Sequence, residues 1–299
     1  MIDKPESAPA VSGEKIQKVL ARIGIASRRD VEQMIQEGRI KVNGEVAQLG
    51  ARIVDTDALY LDGKKVVLKN AQEMSCRVIV YNKPEGEVTT RKDPEGRPTV
   101  FQRLPPLESG RWIVVGRLDV NTTGLLMFTN DGELANKLMH PSTEVDREYA
   151  VRVFGEVTEE ALANLKQGVY LEDGMARFTD ISDGGGEGIN HWYHVVLMEG
   201  KNREVKRLWE SQGVTVSRLK RVRYGCIFLP SRLKSGSWEE LGQRELNDLC
   251  DLVGLPRRKV GLSRKEKETR DRKQQKARSQ PGFKQENRRL KAKPVRRRT

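Results

Sequence analysis

The apolar residues that follow Gly13 fall into two short helical stripes. Ile16, Val19, Leu20 and Ile23 recur at the three- and four-residue spacing of one helix face, and Gly24 stands where a left-handed cap ends the run. Ser27 followed by Asp30 is a shorter-armed capping box, opening a second stripe of Val31, Met34 and Ile35 that Gly38 closes. Two short helices are predicted. The period then changes to two: Arg39 to Val42 alternates into Asn43-Gly44, and Leu59 to Leu61 meets Asp62-Gly63 before Lys64 to Leu68. Asn-Gly and Asp-Gly accept the positive φ angles of tight hairpins, so small strands follow the helices.

A second pattern begins at Arg77. CRVIVYNKPEGEVTT is a β-rich run broken at Lys83-Pro84-Glu85-Gly86, and Trp112 to Val115 and Gly124 to Thr129 read as strands flanking a polar loop, residues 116 to 123. Asn130-Asp131-Gly132 then turns into a short helix, and Arg147 to Gly155 alternates as another strand. HWYHVVLMEG passes through a basic turn into the helical KNREVKRLWESQG. The pattern predicts an α+β protein: a small domain over 13–72, then a larger one over 77–256 with a mainly antiparallel mixed sheet flanked by helices.

Charge separates a third region. Residues 257–299 hold nineteen Lys or Arg against four Asp or Glu, a net +15, so the preceding 256 residues carry −2 of the total +13. This tail, like residues 1–12, has too few apolar residues to offset the entropy of ordering and is expected to be disordered. Its cation density suits a nucleic-acid backbone; a solubilising extension is the alternative. The helical pair adds Lys15, Lys18, Arg22, Arg28 and Arg29 to its polar side, either as a phosphate-contacting face or as a solvated helix surface. The start of the chain lacks the pattern of a signal peptide and no stretch is long and apolar enough for a membrane span, so a cytoplasmic protein with no membrane association is expected. Cys76, Cys226 and Cys250 show no CxxC spacing and read as small core residues.

Candidate chemistry converges on Asp119, an acidic residue on the loop between two apolar strands. Such a residue caps a turn or, held by rigid strands, attacks a sugar carbon as glycosidase carboxylates do. Spacing leaves both open. Gly184-Gly185-Gly186 precedes a strand and reads as a hairpin tip, not a phosphate loop. His191 and His194 fall on opposite faces of a strand, so no metal site is expected.

The wording of the segments adds a resemblance. QKVLARIGIASRRDVEQMIQEGRIKVNG resembles the S4 RNA-binding domain, of the αL type, over about residues 14 to 70. GRLDVNTTGLL resembles the aspartate motif of the RsuA/RluB family of ribosomal RNA pseudouridine synthases, and NKPEG, DREYAV and EGKNREVKRLWESQG match further segments of that family in order. The stretch RLWESQGVTVSRLKRVRYG is closer to the RluB branch, which acts on large-subunit (23S) ribosomal RNA, than to the small-subunit branch. The resemblance implies an isomerase that flips a uridine out of the RNA, breaks its glycosidic bond and rejoins the base through C5, with no cofactor.

It also implies roles. Asp119 is the essential acid, acting through a covalent adduct or a glycal route; Lys206 faces it as the cation, while Arg207 points elsewhere. Tyr149 stacks on the uracil, Arg117 fills the gap left by the flipped nucleotide, and Lys83 shapes or charges the RNA surface. Apart from the resemblance, Lys201, Arg203, Arg218, Lys220, Arg221 and Arg223 make the second half of the larger domain locally basic and are expected to form an RNA-binding strip. The expected partner is ribosomal RNA or a large-subunit assembly intermediate, bound by a monomer. Two readings compete: a catalytically silent S4-type RNA-binding or ribosome-assembly protein, and a glycoside hydrolase, which would require a second carboxylate.

Overall fold

The computed structural model describes residues 13–68, 75–187 and 189–261. The expected disordered start and most of the basic tail lie outside them. The chain divides into Met1–Lys259 and a unit from Val260 onward.

The N-terminal module forms as its pattern predicts. β1 (Glu14–Lys15) leads into α1 (Ile16–Arg22), and α2 (Arg28–Gln36) follows. Ser27 caps α2 by accepting the Asp30 amide at 3.1 Å while the Asp30 carboxylate accepts the Ser27 amide at 3.1 Å, so two otherwise orphaned donors are satisfied reciprocally. β2 (Ile40–Val42) turns at Asn43 and Gly44, with φ of 52° and 95°, into β3 (Glu45–Val46). β4 (Arg52–Ile53) pairs with β1, and β5 (Leu59–Leu61) joins β6 (Lys64–Val66) through Asp62-Gly63, giving a four-stranded sheet in the order β3-β2-β5-β6. Ile16, Leu20, Val31, Ile35, Ile40 and Leu59 close one small core beneath the helices.

The larger domain is organised by nine strands. These are β7 (Val78–Lys83), β8 (Ile113–Val115), β9 (Thr123–Thr129), β10 (Arg147–Phe154), then, after the separate hairpin of β11 (Val169–Leu171) and β12 (Gly174–Ala176), β13 (Asp180–Glu187), β14 (Asn190–Leu197), β15 (Thr215–Tyr224), β16 (Ile227–Phe228) and β17 (Trp238–Glu240). The order is β13-β14-β10-β15-β9-β7-β17, with β16 on β15 and β8 on β9. Every pair is antiparallel except β15 with β9, where Lys220 and Arg221 run beside Thr123 and Gly124. A side chain at position 124 would collide with the Arg221 main chain, its Cβ 2.3 Å from the carbonyl oxygen, which explains a glycine there.

Helices α3 (Gly132–Met139), α4 (Glu159–Gln167), α5 (Glu204–Glu210) and α6 (Gln243–Leu252) flank the sheet. Along β10 the inward residues Arg147, Tyr149, Val151 and Val153 alternate with more exposed ones, as a strand covered on one face must. Val151 and Val153 meet Leu165 of α4 and Val205, Leu208 and Trp209 of α5 in a single core. Trp209 is fully buried, its ring 5.1 Å from Tyr193 and 6.1 Å from Phe178.

Three sequence expectations change. Gly184, Gly185 and Gly186 lie within β13, not at a hairpin tip; a Cβ at Gly184 or Gly186 would crowd the β14 main chain, whereas Gly185, with φ of 78°, has open space around it. Cys76 and Cys250 are buried, but Cys226 is exposed beside a turn. The tail expected to begin at 257 is still anchored there: Arg257 pairs with Asp251, Arg258 with Asp131 and Glu133, and the Lys259 carbonyl accepts the Cys76 amide at 2.9 Å.

Candidate active site

The loop bearing Asp119 leaves β8 at Gly116, whose φ of 78° suits glycine, and re-enters the sheet at β9. β8 pairs with the end of β9 while β15 pairs with its beginning, so the loop sits where the sheet branches. The NKPEG strand end and the segment after it grip this loop: the Gly86 amide donates to the Val120 carbonyl at 2.9 Å and the Thr89 hydroxyl to the Leu118 carbonyl at 2.7 Å. Within the loop the Thr122 amide donates to the Asp119 carbonyl at 3.1 Å. Asp119, half-buried, thereby faces a cleft of about 1060 Å³ that Arg117, Arg147, Tyr149, Arg203 and Arg221 also line.

Lys83 is not where the sequence reading put it. Its side chain is fully buried and its ammonium donates to the carbonyls of Pro84 (3.0 Å), Val120 (3.3 Å) and Thr122 (2.9 Å). It cannot contact RNA; it ties the segment that follows Asp119 to the end of β7. Burial pushes its pKa down to about 8, against the opposing pull of Glu87, Asp119 and Glu85.

Lys206, on α5, is also buried, but the expected ion pair with Asp119 is replaced by a 2.7 Å bond from its ammonium to the Asn121 side-chain oxygen. Lys206 therefore holds the loop two residues from Asp119, and the two charges act on each other through space. Burial holds its pKa down, reinforced by Arg203 and opposed by Asp119. Arg207 points elsewhere, as expected, in a bidentate pair with Asp173. Tyr149 is buried at 8% exposure on the inward face of β10 and lines the cleft, and Arg117 is exposed at its edge. Asp119, Tyr149 and Arg117 thus line one cavity, with Lys206 behind the loop.

The expected RNA-contacting set divides. Lys15, Lys18, Arg28 and Arg29 are exposed on the helical module, although Lys18 pairs with Glu14 at 2.8 Å; Arg22 is tucked against Glu14. Lys201 and Arg203 line the cleft, paired with Glu199 at 2.9 Å and Glu210 at 3.6 Å. Arg218 and Lys220 are exposed. Arg221 and Arg223 do not belong to that surface strip. Arg221 is 2% exposed, and Arg223 is clasped by Asp146 and by Glu148 at 2.8 Å.

Arg147 and Asn121 were missed by the sequence reading. The two-residue period of β10 could have found Arg147, since Tyr149 points inward and residue 147 shares its face. Asn121 carried no such signal: only the arrival of Lys206 from a distant helix reveals its role.

Residues 77–211 match the family model described as RNA pseudouridylate synthase, and residues 14–59 match that of the S4 domain. The chain is 61% identical over 278 residues to a protein of Pseudomonas aeruginosa named ribosomal large subunit pseudouridine synthase B, covering 92% of this chain and 72% of that one. It is 59% identical over 268 residues to a Vibrio cholerae protein of the same name, covering 89% and 84%. Among solved structures, a pseudouridylate synthase superposes with a TM-score of 0.55 at 25% identity, covering 79% of this chain and 100% of that one.

Proposed function

Because this chain belongs to the RNA pseudouridylate synthase family, we propose that it isomerises specific uridines to pseudouridine in large-subunit ribosomal RNA, through the cleft that Asp119 faces. The observation that carries this reading is the pinned loop. A carboxylate on a segment tied by Lys83, Gly86, Thr89 and Lys206 is held in place beside a cavity of about 1060 Å³, large enough to enclose a flipped nucleotide.

In this reading Asp119 works at the ribose of the extruded uridine. It either bonds to C1′ as the glycosidic bond breaks or assists removal of the C2′ proton to give a glycal. The freed uracil turns and C5 bonds to C1′ as the Asp119–C1′ bond breaks or, on the glycal route, as the C2′ proton is returned; the C5 proton then passes to a base and N1 takes up a proton in its place, so the product is an isomer of the substrate. Tyr149 supplies an aromatic face for the turning base, and the Lys206 ammonium adds positive potential behind the carboxylate. Arg117, at the edge of the cleft, fills the gap left in the RNA. The exposed cations Lys15, Lys18, Arg28 and Arg29 offer the S4 module a phosphate-contacting face.

The test is pseudouridine mapping after incubation with large-subunit rRNA, supplied both free and within assembling particles, using the wild-type chain and Asp119→Asn. Modified uridines with the wild type alone are expected. Absence of product from both substrates would leave an S4-type RNA-binding protein. Product from particles but not from free RNA would identify an assembly intermediate as the substrate.

A further inference from the structure

Two arginines of the cleft have no role in the chemistry described above. Arg147, at the start of β10, is 9% exposed; its guanidinium donates to the carbonyls of Met198 (2.8 Å) and Glu199 (2.6 Å) and to the Tyr224 hydroxyl (3.1 Å). Arg221, on the adjacent strand β15, is 2% exposed and donates from Nε to the Leu125 carbonyl at 2.7 Å, while its buried Nη2 has no hydrogen-bond partner. Both guanidinium carbons lie over the Tyr224 ring, 5.0 and 5.2 Å from its centre. The Tyr224 hydroxyl in turn donates to the Leu138 carbonyl at 2.8 Å, which fixes the ring.

The charge balance is unusual. Among the described residues, neither arginine is in an ion pair: their partners are neutral carbonyls, a phenol and a ring. A buried cation without a countercharge is costly, and an unpaired buried N–H adds to that cost. Two such cations sharing one ring concentrate positive potential at a single place in the cleft wall. Gly116 lies against Arg221 and the ring: a Cβ there would be 3.8 Å from Arg221 Nη1 and 3.9 Å from the Tyr224 ring. Arg221 therefore adjoins the first residue of the loop that carries Asp119, three positions away.

We propose that Arg147 and Arg221, stacked on Tyr224, form an anion seat that receives a backbone phosphate flanking the flipped uridine. This rests on the cleft being the pseudouridine synthase site. A uracil carbonyl could take the unpaired N–H but would leave both charges unbalanced, whereas a phosphate supplies acceptor oxygens and countercharge together. Seating the phosphate would fix the ribose relative to the Asp119 loop, because the seat and the loop share Gly116.

The test uses an rRNA fragment in which the wild-type enzyme forms pseudouridine at a mapped uridine. Single methylphosphonates, which remove one phosphate charge, are placed on either side of that uridine, and KM and kcat are measured for the wild type, Arg221→Met and Arg221→Lys. The expected result is that one methylphosphonate raises the wild-type KM about ten- to a hundredfold, the range for losing a charge-assisted hydrogen bond. Arg221→Met should match that loss on unmodified RNA and lose little more on the modified RNA. It should also lower the slope of log KM against log salt by about 0.7. Arg221→Lys should keep the salt slope. Fully additive losses, an unchanged slope in Arg221→Met, or a wild-type enzyme indifferent to both methylphosphonates would overturn the seat. The last result needs no variant to fold. Failure to find product in any fragment would instead count against the proposed function.

Discussion

Replacing Lys83 by Met separates two effects that usually travel together. The variant keeps a long unbranched side chain in the buried space but removes the N–H donors that hold the Pro84 carbonyl and, on the Asp119 turn, those of Val120 and Thr122. The Val120 carbonyl retains the Gly86 amide, whereas those of Pro84 and Thr122 lose the ammonium as donor. At about 1–3 kcal/mol for each stranded acceptor, the loss is about 2–6 kcal/mol. Against it stands the cost of burying the charge: a pKa held from 10.5 down to about 8 corresponds to roughly 3 kcal/mol. The two nearly cancel, leaving about 1 kcal/mol net and a fall in Tm of about 2–4 °C. Activity has no such offset. A loop displaced by about 1 Å moves the carboxylate off the sugar, and turnover should fall on the order of a hundredfold. Thermal unfolding and single-turnover pseudouridine formation, measured on the same preparation, test both halves. Wild-type turnover in Lys83→Met would show that the ammonium does not hold the loop, and a Tm lowered by more than about 10 °C would show that the cancellation is wrong.

The same lysine sets a pH dependence. Above about pH 8 it loses its proton, leaving two N–H groups for three carbonyls, so turnover should decline there in the wild type and stay flat in Lys83→Met. Between about 8 and 10.5 the unfolded chain binds that proton and the folded chain does not, so this group adds stability as pH rises through the window while activity falls. Asp119→Asn should abolish turnover and keep RNA affinity, measured by filter binding; persistent product would remove Asp119 from the chemistry. A chain ending after residue 261 should unfold like the full protein. One ending after 256 should lose about 1–3 kcal/mol with the Arg258 pairs and the Cys76–Lys259 bond, read from denaturant midpoints; equal midpoints would show that the anchor contributes nothing. Removing residues 262–299 should flatten the salt dependence of RNA affinity, and an unchanged slope would show that this segment does not contact RNA.

What could be read from the sequence was local. The capping box at Ser27 and Asp30, the Asn43-Gly44 and Asp62-Gly63 turns and the alternation of Arg147 to Phe154 each depend on neighbours a few residues apart, and each forms as expected. The position of Asp119 on a loop between two strands was equally visible. Resemblance supplied the chemistry, because nothing in the spacing around Asp119 distinguishes a nucleophile from a turn cap.

Charge was misread for the opposite reason. Lys83, Arg221 and Arg223 were assigned to an exposed RNA-facing surface, yet each is drawn inward by a partner far away in the chain. Lys83 reaches carbonyls 37 and 39 residues on, Arg221 a carbonyl 96 residues back, and Arg223 a carboxylate 75 residues back. Periodicity reports which way a side chain points, and hydrogen-bonding capacity reports what it needs. Which acceptor meets it depends on strand order, and the parallel pairing of β15 with β9 that brings Arg221 beneath Gly116 exists only in the folded sheet. Burial of a cation is therefore decided by tertiary structure: the desolvation cost is offset only when distant carbonyls arrive together.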